Sequence, residues 1–538
     1  MTKQTKFILA ILLPLLFNSY TTLLVIAQDN SPVFTIQELQ DDGTAIEFFA
    51  ESGANLAGAG MYAIGDINDD GRDDFFVSAY DGLGKAYLIY GRSEWSNVSL
   101  AEIPNSIIGE EVNGHFGGWF AKLGDINNDS IDDYAIAALG HKIYIYSETA
   151  LLDLTQNEPA SQSSWTSIIS EDSSDFMGHG LSGVGDVNED GYSDILISDE
   201  WNDDAGTNAG KVYLIYGRST ENWGKDVNVA TIANVTFLGN SPGGQYAMDT
   251  TELPDINGDN IPDFAMSSSS SNGRITIYFG GSNWGATVQK TDANVTINLE
   301  PHSGNVAKHI DGLGDINGDG YSDIIYGSWA DVDSTLPTDY QNGKVYIIFG
   351  RKTADWPAVI EKDEVDATLI SAPKGTGYAA GSMKDMNGDG YDEVLIGDTQ
   401  GSSADENHAF ILQGRATEEW GLNMNLTEKA YMTITSGTPN NNGGFANQVK
   451  TMGDVDGDGL PEFAINKWRY NDLQGGLYLI HDLSNPRDIT SSSDNNLSPG
   501  PSSSNGSGSD SPVSGLPIAV SFVVMITLWK RQHKNKNT

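Results

Sequence analysis

The chain has 538 residues, and its 74 Asp and Glu against 29 Lys and Arg give a formal net charge of −45. Acidity on that scale argues against a nucleic-acid-binding face, while 39% hydrophobic and 9% aromatic residues keep the chain out of the disordered class. Without cysteine it has neither a disulfide framework nor a thiolate metal site, and its 61 Gly point to turns rather than helices.

At the start of the chain, Lys3 and Lys6 precede an apolar run over residues 7–17, and a second short run ends in Val25, Ile26 and Ala27. That is the order of a signal peptide, here residues 1–27, so the mature protein is expected to begin at Gln28.

The folded body, residues 28–485, is built from repeats. Seven copies of one acidic motif begin at Asp66, Asp125, Asp186, Asp255, Asp315, Asp385 and Asp454, about 65 residues apart. Each is followed by a short β-rich run, such as residues 75–78 or 195–198, then by a turn and a second run, as in residues 85–92, 211–218 and 344–351. A Gly-rich run precedes each motif, clearest over residues 115–124, and a fourth lies between units, over residues 228–232 and 293–297. Four short antiparallel strands repeated radially predict an all-β fold, a seven-bladed β-propeller, which needs no cysteine to close. The last unit supplies three strands, ending at residues 477–480, and residues 33–38 form a strand before the first unit. This amino-terminal strand is expected to complete the seventh blade.

Each motif places oxygen side chains at positions 1, 3, 5 and 9. These are Asp66, Asn68, Asp70 and Asp74; Asp125, Asn127, Asp129 and Asp133; Asp186, Asn188, Asp190 and Asp194; Asp255, Asn257, Asp259 and Asp263; Asp315, Asn317, Asp319 and Asp323; Asp385, Asn387, Asp389 and Glu393; and Asp454, Asp456, Asp458 and Glu462. In a tight loop alternate side chains converge on one point, and hard oxygen donors suit calcium, with up to seven ions in all. Unneutralised carboxylates about 4 Å apart repel by roughly 1 kcal/mol per pair in water and by more when shielded, so the cation should stabilise the fold. An EF-hand would need Glu at position 12, where Val77, Ile136 and Ile465 stand. Position 6, expected at positive φ, is usually Gly but is Ser130 in the second copy and Asn260 in the fourth; the loop at Asp125 ranks weakest.

Residues 486–515 form a Ser-, Gly- and Asn-rich linker. Residues 516–538 are a short apolar segment followed by Lys530, Arg531, Lys534 and Lys536, expected to act as a membrane anchor or sorting signal. By composition this end resembles the sorting tails of bacterial surface proteins.

With Phe116 and Gly117 before the second motif, the seven acidic loops, and the strands typified by residues 343–351, residues 32–482 resemble the FG-GAP repeat family. This is the seven-bladed propeller of integrin α subunits and of many bacterial surface proteins, and a bacterial surface protein is the expected bearer. The resemblance implies calcium held by the side chains at positions 1, 3, 5 and 9 and by the position 7 carbonyls of Arg72, Ile131, Tyr192, Ile261, Tyr321, Tyr391 and Leu460. It also implies partner binding on the opposite face, by loops between the second and third strands that contain Trp201, Asp203, Asp204, Trp329, Trp468, Arg469 and Tyr470. The GAP element of the name is poorly kept: Ser78-Ala79 and Gly397-Asp398 stand in its place.

Two enzyme-like patterns, Gly239 to Gly243 (G-x-S-x-G) and Gly178 to Gly183 (G-x-G-x-x-G), lack the strand–turn–helix setting their chemistry requires. The expected function is therefore an exported, non-catalytic, calcium-binding propeller. It mediates cell-surface adhesion or binds extracellular protein or glycan, and meets the membrane through its tail alone. The alternatives are a carbohydrate-active propeller, lectin or polysaccharide lyase, and a structural surface-layer component.

Overall fold

The computed structural model describes residues 32–481 apart from 51–56, 113, 139–140, 173–175, 269–273, 282–283, 299–308, 333–341, 372–375, 399–405, 438–443 and 469–474. The expected signal segment, linker and tail lie outside the described residues.

The acidic motif is the turn of a hairpin in every repeat. In blade 1 it joins Ala57–Gly65 to Asp74–Ala79, and Lys85–Ile89 and Ser106–Ile108 complete an antiparallel meander. Six further sheets repeat the plan, and the chain forms a seven-bladed β-propeller. Each sheet carries a fifth strand at its outer edge, two or three residues long and parallel to the fourth. That edge strand comes from the next repeat: Glu158–Pro159, between the third and fourth strands of blade 2, pairs with Ser106–Ile108 of blade 1. A borrowed parallel strand of this kind shields the sheet edge and ties each blade to its neighbour.

Two strand assignments are corrected by this arrangement. Residues 228–232 are not a fourth strand: Val227–Asn228 is the borrowed edge strand of blade 2, and Val229–Ile232 is one helical turn whose Asn228 side chain accepts from the Ala230 N–H. Asn is a strong N-cap, and its local bond outweighs the β-branched composition that follows. The fourth strand of blade 3 is Val235–Leu238.

Ring closure is likewise displaced along the chain. The amino-terminal segment does complete blade 7, but through Ala45–Phe49, antiparallel to Gly476–Ile480, rather than through residues 33–38. Val33–Thr35 instead forms the parallel edge of blade 6 against Met432–Thr435. Between them Ile36–Asp42 is a helix, because Thr35 and Glu38 make a capping box that satisfies two backbone donors reciprocally. Residues 33–49 thus supply what the connection and fourth strand supply in every other repeat.

Seven apolar cores separate the blades, and each contains one position 2 side chain of the acidic motifs: Ile67, Ile126, Val187, Ile256, Ile316, Met386 and Val455. The motif therefore anchors itself to the blades through an apolar residue.

Candidate functional site

Within each loop the backbone is wrapped around carboxylates. In six loops the position 1 carboxylate accepts the position 5 and position 6 N–H groups, as Asp186 does from Asp190 at 2.9 Å and from Gly191 at 2.8 Å. In the seventh, Asp454 accepts from Gly457 and Gly459, and the Asp458 N–H goes to Asp456. The position 5 carboxylate accepts the position 7 N–H in all seven loops, as Asp319 does from Tyr321 at 3.0 Å. Position 6 has positive φ throughout, from +68° at Ser130 and +69° at Asn260 to +93° at Gly390. Position 4 has it as well, at Asp69, Asn128 and Glu189 and at four glycines, which the motif alone did not indicate.

Position 9 is the buried floor of the loop. Asp74, Asp133, Asp194, Asp263, Asp323 and Glu393 have no exposed surface, and Glu462 is 2% exposed. Each of six accepts the position 2 N–H, as Asp323 does from Ile316 at 3.0 Å. Burial, with the neighbouring position 1 and 5 carboxylates adding repulsion, pushes Asp74, Asp133 and Asp263 up to about 7 and Asp194, Asp323 and Glu393 up to about 8. Glu462, raised by burial and by Asp456, reaches about 9. Buried carboxylates raised this far lack a counter-charge.

Donor chemistry at position 3 fits a hard cation. Asn127 is 7% exposed, and its Nδ2 donates to Asp133 at 3.1 Å while its Oδ1 has no partner. The Asn68 Oδ1 is likewise buried without a partner. An orphaned carbonyl oxygen among carboxylates is a poor site for a proton donor from the protein and a suitable ligand for a dication. In two loops the carboxylates themselves converge: oxygens of Asp385, Asp389 and Glu393, and of Asp454, Asp456 and Glu462, lie within 4.8 Å of one another. These are the two loops with Glu at position 9, so the extra methylene brings the buried carboxylate closer to the others.

Loops of neighbouring blades are bonded together. The position 2 carbonyls of Ile126, Val187, Ile256, Ile316 and Val455 accept N–H groups from the next blade, those of Arg218, Gly281, Arg351, Arg415 and Arg92. At the seventh loop, His481 lies with Nδ1 3.6 Å from Asp456 Oδ2 and donates its backbone N–H to Thr44 O, which no motif reading identified.

The hairpin turns at the other end of the second strand form the opposite face. Between Ile195–Asp199 and Lys211–Ile215, Trp201 is 41% exposed and stacks on Phe176 at 4.7 Å. Beside it a cavity of about 450 Å³ is lined by Glu171, Asp172, Trp201, Asp203 and Asp204. Lys211 donates to both Glu171 and Asp204 at 2.8 Å, and Asp203 accepts the Asn208 N–H at 2.7 Å. Trp201, Asp203 and Asp204 are thus together; Glu171, Asp172 and Phe176 join them from residues with no motif to mark them. Trp329 and Trp468 have backbones within Ile324–Val332 and Glu462–Trp468, while their side chains, with Arg469 and Tyr470, lie outside the described residues. The two enzyme-like patterns fall in a turn between strands and inside the strand Met177–Gly183.

No family model matches the chain. It is similar to integrin alpha-6 of Gallus gallus (29% identity over 124 residues, 23% of this chain and 10% of that protein) and to integrin alpha-8 of the same species (28% over 152 residues, 25% and 14%). Integrin alpha pat-2 of Caenorhabditis elegans matches at 23% over 221 residues, 38% of this chain and 17% of the relative. The matches therefore span between a tenth and about a sixth of the relatives' own length. Among solved structures, BBS1N in complex with ARL6DN aligns at a TM-score of 0.41 and 9% identity, over 82% of this chain and 98% of that one. The chain forms a seven-bladed propeller with acidic repeats and is similar, over parts of its length, to integrin alpha chains.

Proposed function

We propose that this chain is an exported, calcium-stabilised propeller that binds an extracellular protein or glycan without catalysis, tethered to the cell surface by residues 516–538. The observation that carries the cation reading is the convergence within 4.8 Å of carboxylate oxygens of Asp385, Asp389 and Glu393 and of Asp454, Asp456 and Glu462, and the unpartnered Asn127 Oδ1 beside a fully buried Asp133 agrees with it. Side-chain oxygens at positions 1, 3, 5 and 9 and the carbonyl at position 7 would hold the ion, which supplies charge neutralisation. The chain's own residues order the loop backbone and lock it to the blades.

Partner binding falls to the opposite face, where Trp201 stands beside carboxylates. Aromatic anchors of this kind dominate recognition surfaces, and loops on a rigid scaffold are where binding residues collect. The extracellular setting rests on the similarity to integrin alpha chains and on the amino-terminal segment. Among the described residues no helix is long and apolar enough to cross a membrane.

The test is retention of purified residues 28–485 on an array of matrix proteins and of acidic and neutral polysaccharides, in calcium and in chelator, with released sugar measured in parallel. Retention that requires calcium and is weakened by Trp201→Ala is the expected result. Release of sugar would overturn the non-catalytic reading, and equal retention in chelator would overturn the role of the cation.

A further inference from the structure

The first strands of the blades enclose a central channel, and there the sevenfold repeat breaks down. Strand register defines one tier of equivalent positions: Tyr62 opposite Phe76, Ala121 opposite Ala135, Ser182 opposite Leu196, Thr251 opposite Ala265, Asp311 opposite Ile325, Gly381 opposite Leu395 and Lys450 opposite Ala464. Seven copies of one strand present seven different side chains at this tier, whereas the acidic loops are nearly identical. Packing of the blades does not require that divergence, because the partner positions on the second strand are uniformly apolar.

The differences are sorted around the ring. Blades 1 and 2 contribute aromatics, Tyr62 and Phe120 stacked at 5.2 Å with Trp119 beside them. Across the channel, blades 4 and 5 contribute Asp249 and Asp311, while blade 7, next to blade 1, contributes Gln448 and Lys450. Blade 6 presents Ala379, Ala380 and Gly381, which leave room. The space is about 350 Å³, within the range of small-molecule sites.

Its polar groups are poised rather than saturated. Asp249 Oδ2 accepts the Ile310 N–H at 3.1 Å, and Lys450 donates to Asp311 at 3.3 Å, a long bond for a charged pair that leaves ammonium donors over. Lys450 keeps 47% of its side-chain surface accessible although it stands on an innermost strand, so that surface is channel surface. Burial pushes the Asp249 carboxyl up to about 6, against the Ile310 hydrogen bond and the Lys450 and His179 charges, with Asp311 adding repulsion.

An apolar aromatic shelf facing carboxylates, an amide and an ammonium matches a ring with one C–H face and a rim of hydroxyls. We propose that the central channel binds a single pyranose sugar at the end of a glycan, its C–H face on Tyr62 and Trp119 and its hydroxyls on Asp249, Asp311 and Lys450. The site deepens the glycan arm of the proposed function and rests on it for the source of the ligand, but uses none of the loop residues assigned to partner binding.

Saturation-transfer NMR with free glucose, galactose, mannose and glucosamine, in calcium, tests it on residues 28–485. At least one sugar is expected to bind saturably, and Asp311→Asn to weaken that binding tenfold or more. Gly381→Leu fills the channel: its Cβ position meets nothing nearer than Asp311 Oδ2 at 3.3 Å, so the ring should fold and binding should vanish. Trp201→Ala should leave sugar binding unchanged while lowering retention on the array, which separates failure of this site from failure of the loop surface. Absence of transfer to all four sugars, or unaltered binding in folded Gly381→Leu protein, overturns the proposal.

Discussion

Asp73 and Asp454, 381 residues apart in sequence, exchange two hydrogen bonds: the Asp73 N–H donates to Asp454 O and the Asp454 N–H to Asp73 Oδ2, both at 2.8 Å. The first and last acidic loops are thereby joined at the seam of the ring. Equivalent backbone bonds from Ser193 to Asp125 O and from Asp392 to Asp315 O join other neighbours. Cation binding in one loop should therefore order the next. Asp73→Ala, which removes the acceptor for the Asp454 N–H, is expected to cost about 1 kcal/mol and to weaken calcium binding in the seventh loop, although Asp73 is not a ligand there. Calorimetric calcium titration of the variant checks this; unchanged affinity at every site would show that the loops act independently.

Removal of the cation should destabilise the whole ring. A ligand bound only by the folded state adds about 2.7 kcal/mol per site at a hundred times its dissociation constant. Chelator is expected to lower the melting temperature by several degrees or more, and calcium to restore it. A melting temperature indifferent to both would sink the calcium reading.

The position 9 carboxylates give this dependence a pH signature. Their folded values, about 7 to 9, lie above the ordinary carboxylate value near 4, so the cation-free folded state binds more protons than the unfolded chain between those limits. Their contribution to stability is present in mild acid and is lost as pH rises from about 4 toward 8. Calcium substitutes for the protons, so its stabilising effect should grow over the same window. Urea midpoints at pH 5 and pH 8, each in calcium and in chelator, should show the cation-free protein losing stability toward pH 8 and the loaded protein holding it.

Ser130 occupies a left-handed conformation at +68° where most copies have glycine. A side chain there costs roughly 1 kcal/mol. Ser130→Gly is expected to raise stability by about that amount and to tighten cation binding in the second loop, read by thermal unfolding and by calcium titration against the unaltered protein.

Closure of the ring depends on Ala45–Phe49 far more than on Val33–Thr35. Phe48 is fully buried and packs against Phe75 at 5.8 Å and Trp95 at 5.9 Å. Phe48→Ala should cost about 3–5 kcal/mol, whereas a chain beginning at Thr44 loses one edge strand and a short helix and should still close. Size-exclusion chromatography and circular dichroism of the shortened chain distinguish these roles. Aggregation there, equal to that of a chain lacking residues 33–49, would contradict the assignment.

The seven-bladed fold, the composition of each acidic loop and the positive φ at position 6 followed from sequence, because each is a local requirement repeated seven times: oxygens at alternate positions, a buried apolar residue at position 2, and a residue that tolerates the left-handed turn. The helix over Ile36–Asp42 was also locally encoded, in Thr35 and Glu38, but residues 33–38 carry a β-like composition that masked the capping box. What only the tertiary structure decided is everything that depends on which repeat stands beside which. The borrowed edge strands, the bonds between loops from Asp73 to Asp454, the clustering of Glu171 with Trp201 and Asp204, and the facing of Tyr62 by Asp249 and Asp311 all join residues from different repeats. A repeating sequence specifies one unit well, but partners separated by one or more repeats leave no local pattern, since their contacts arise from closing the ring.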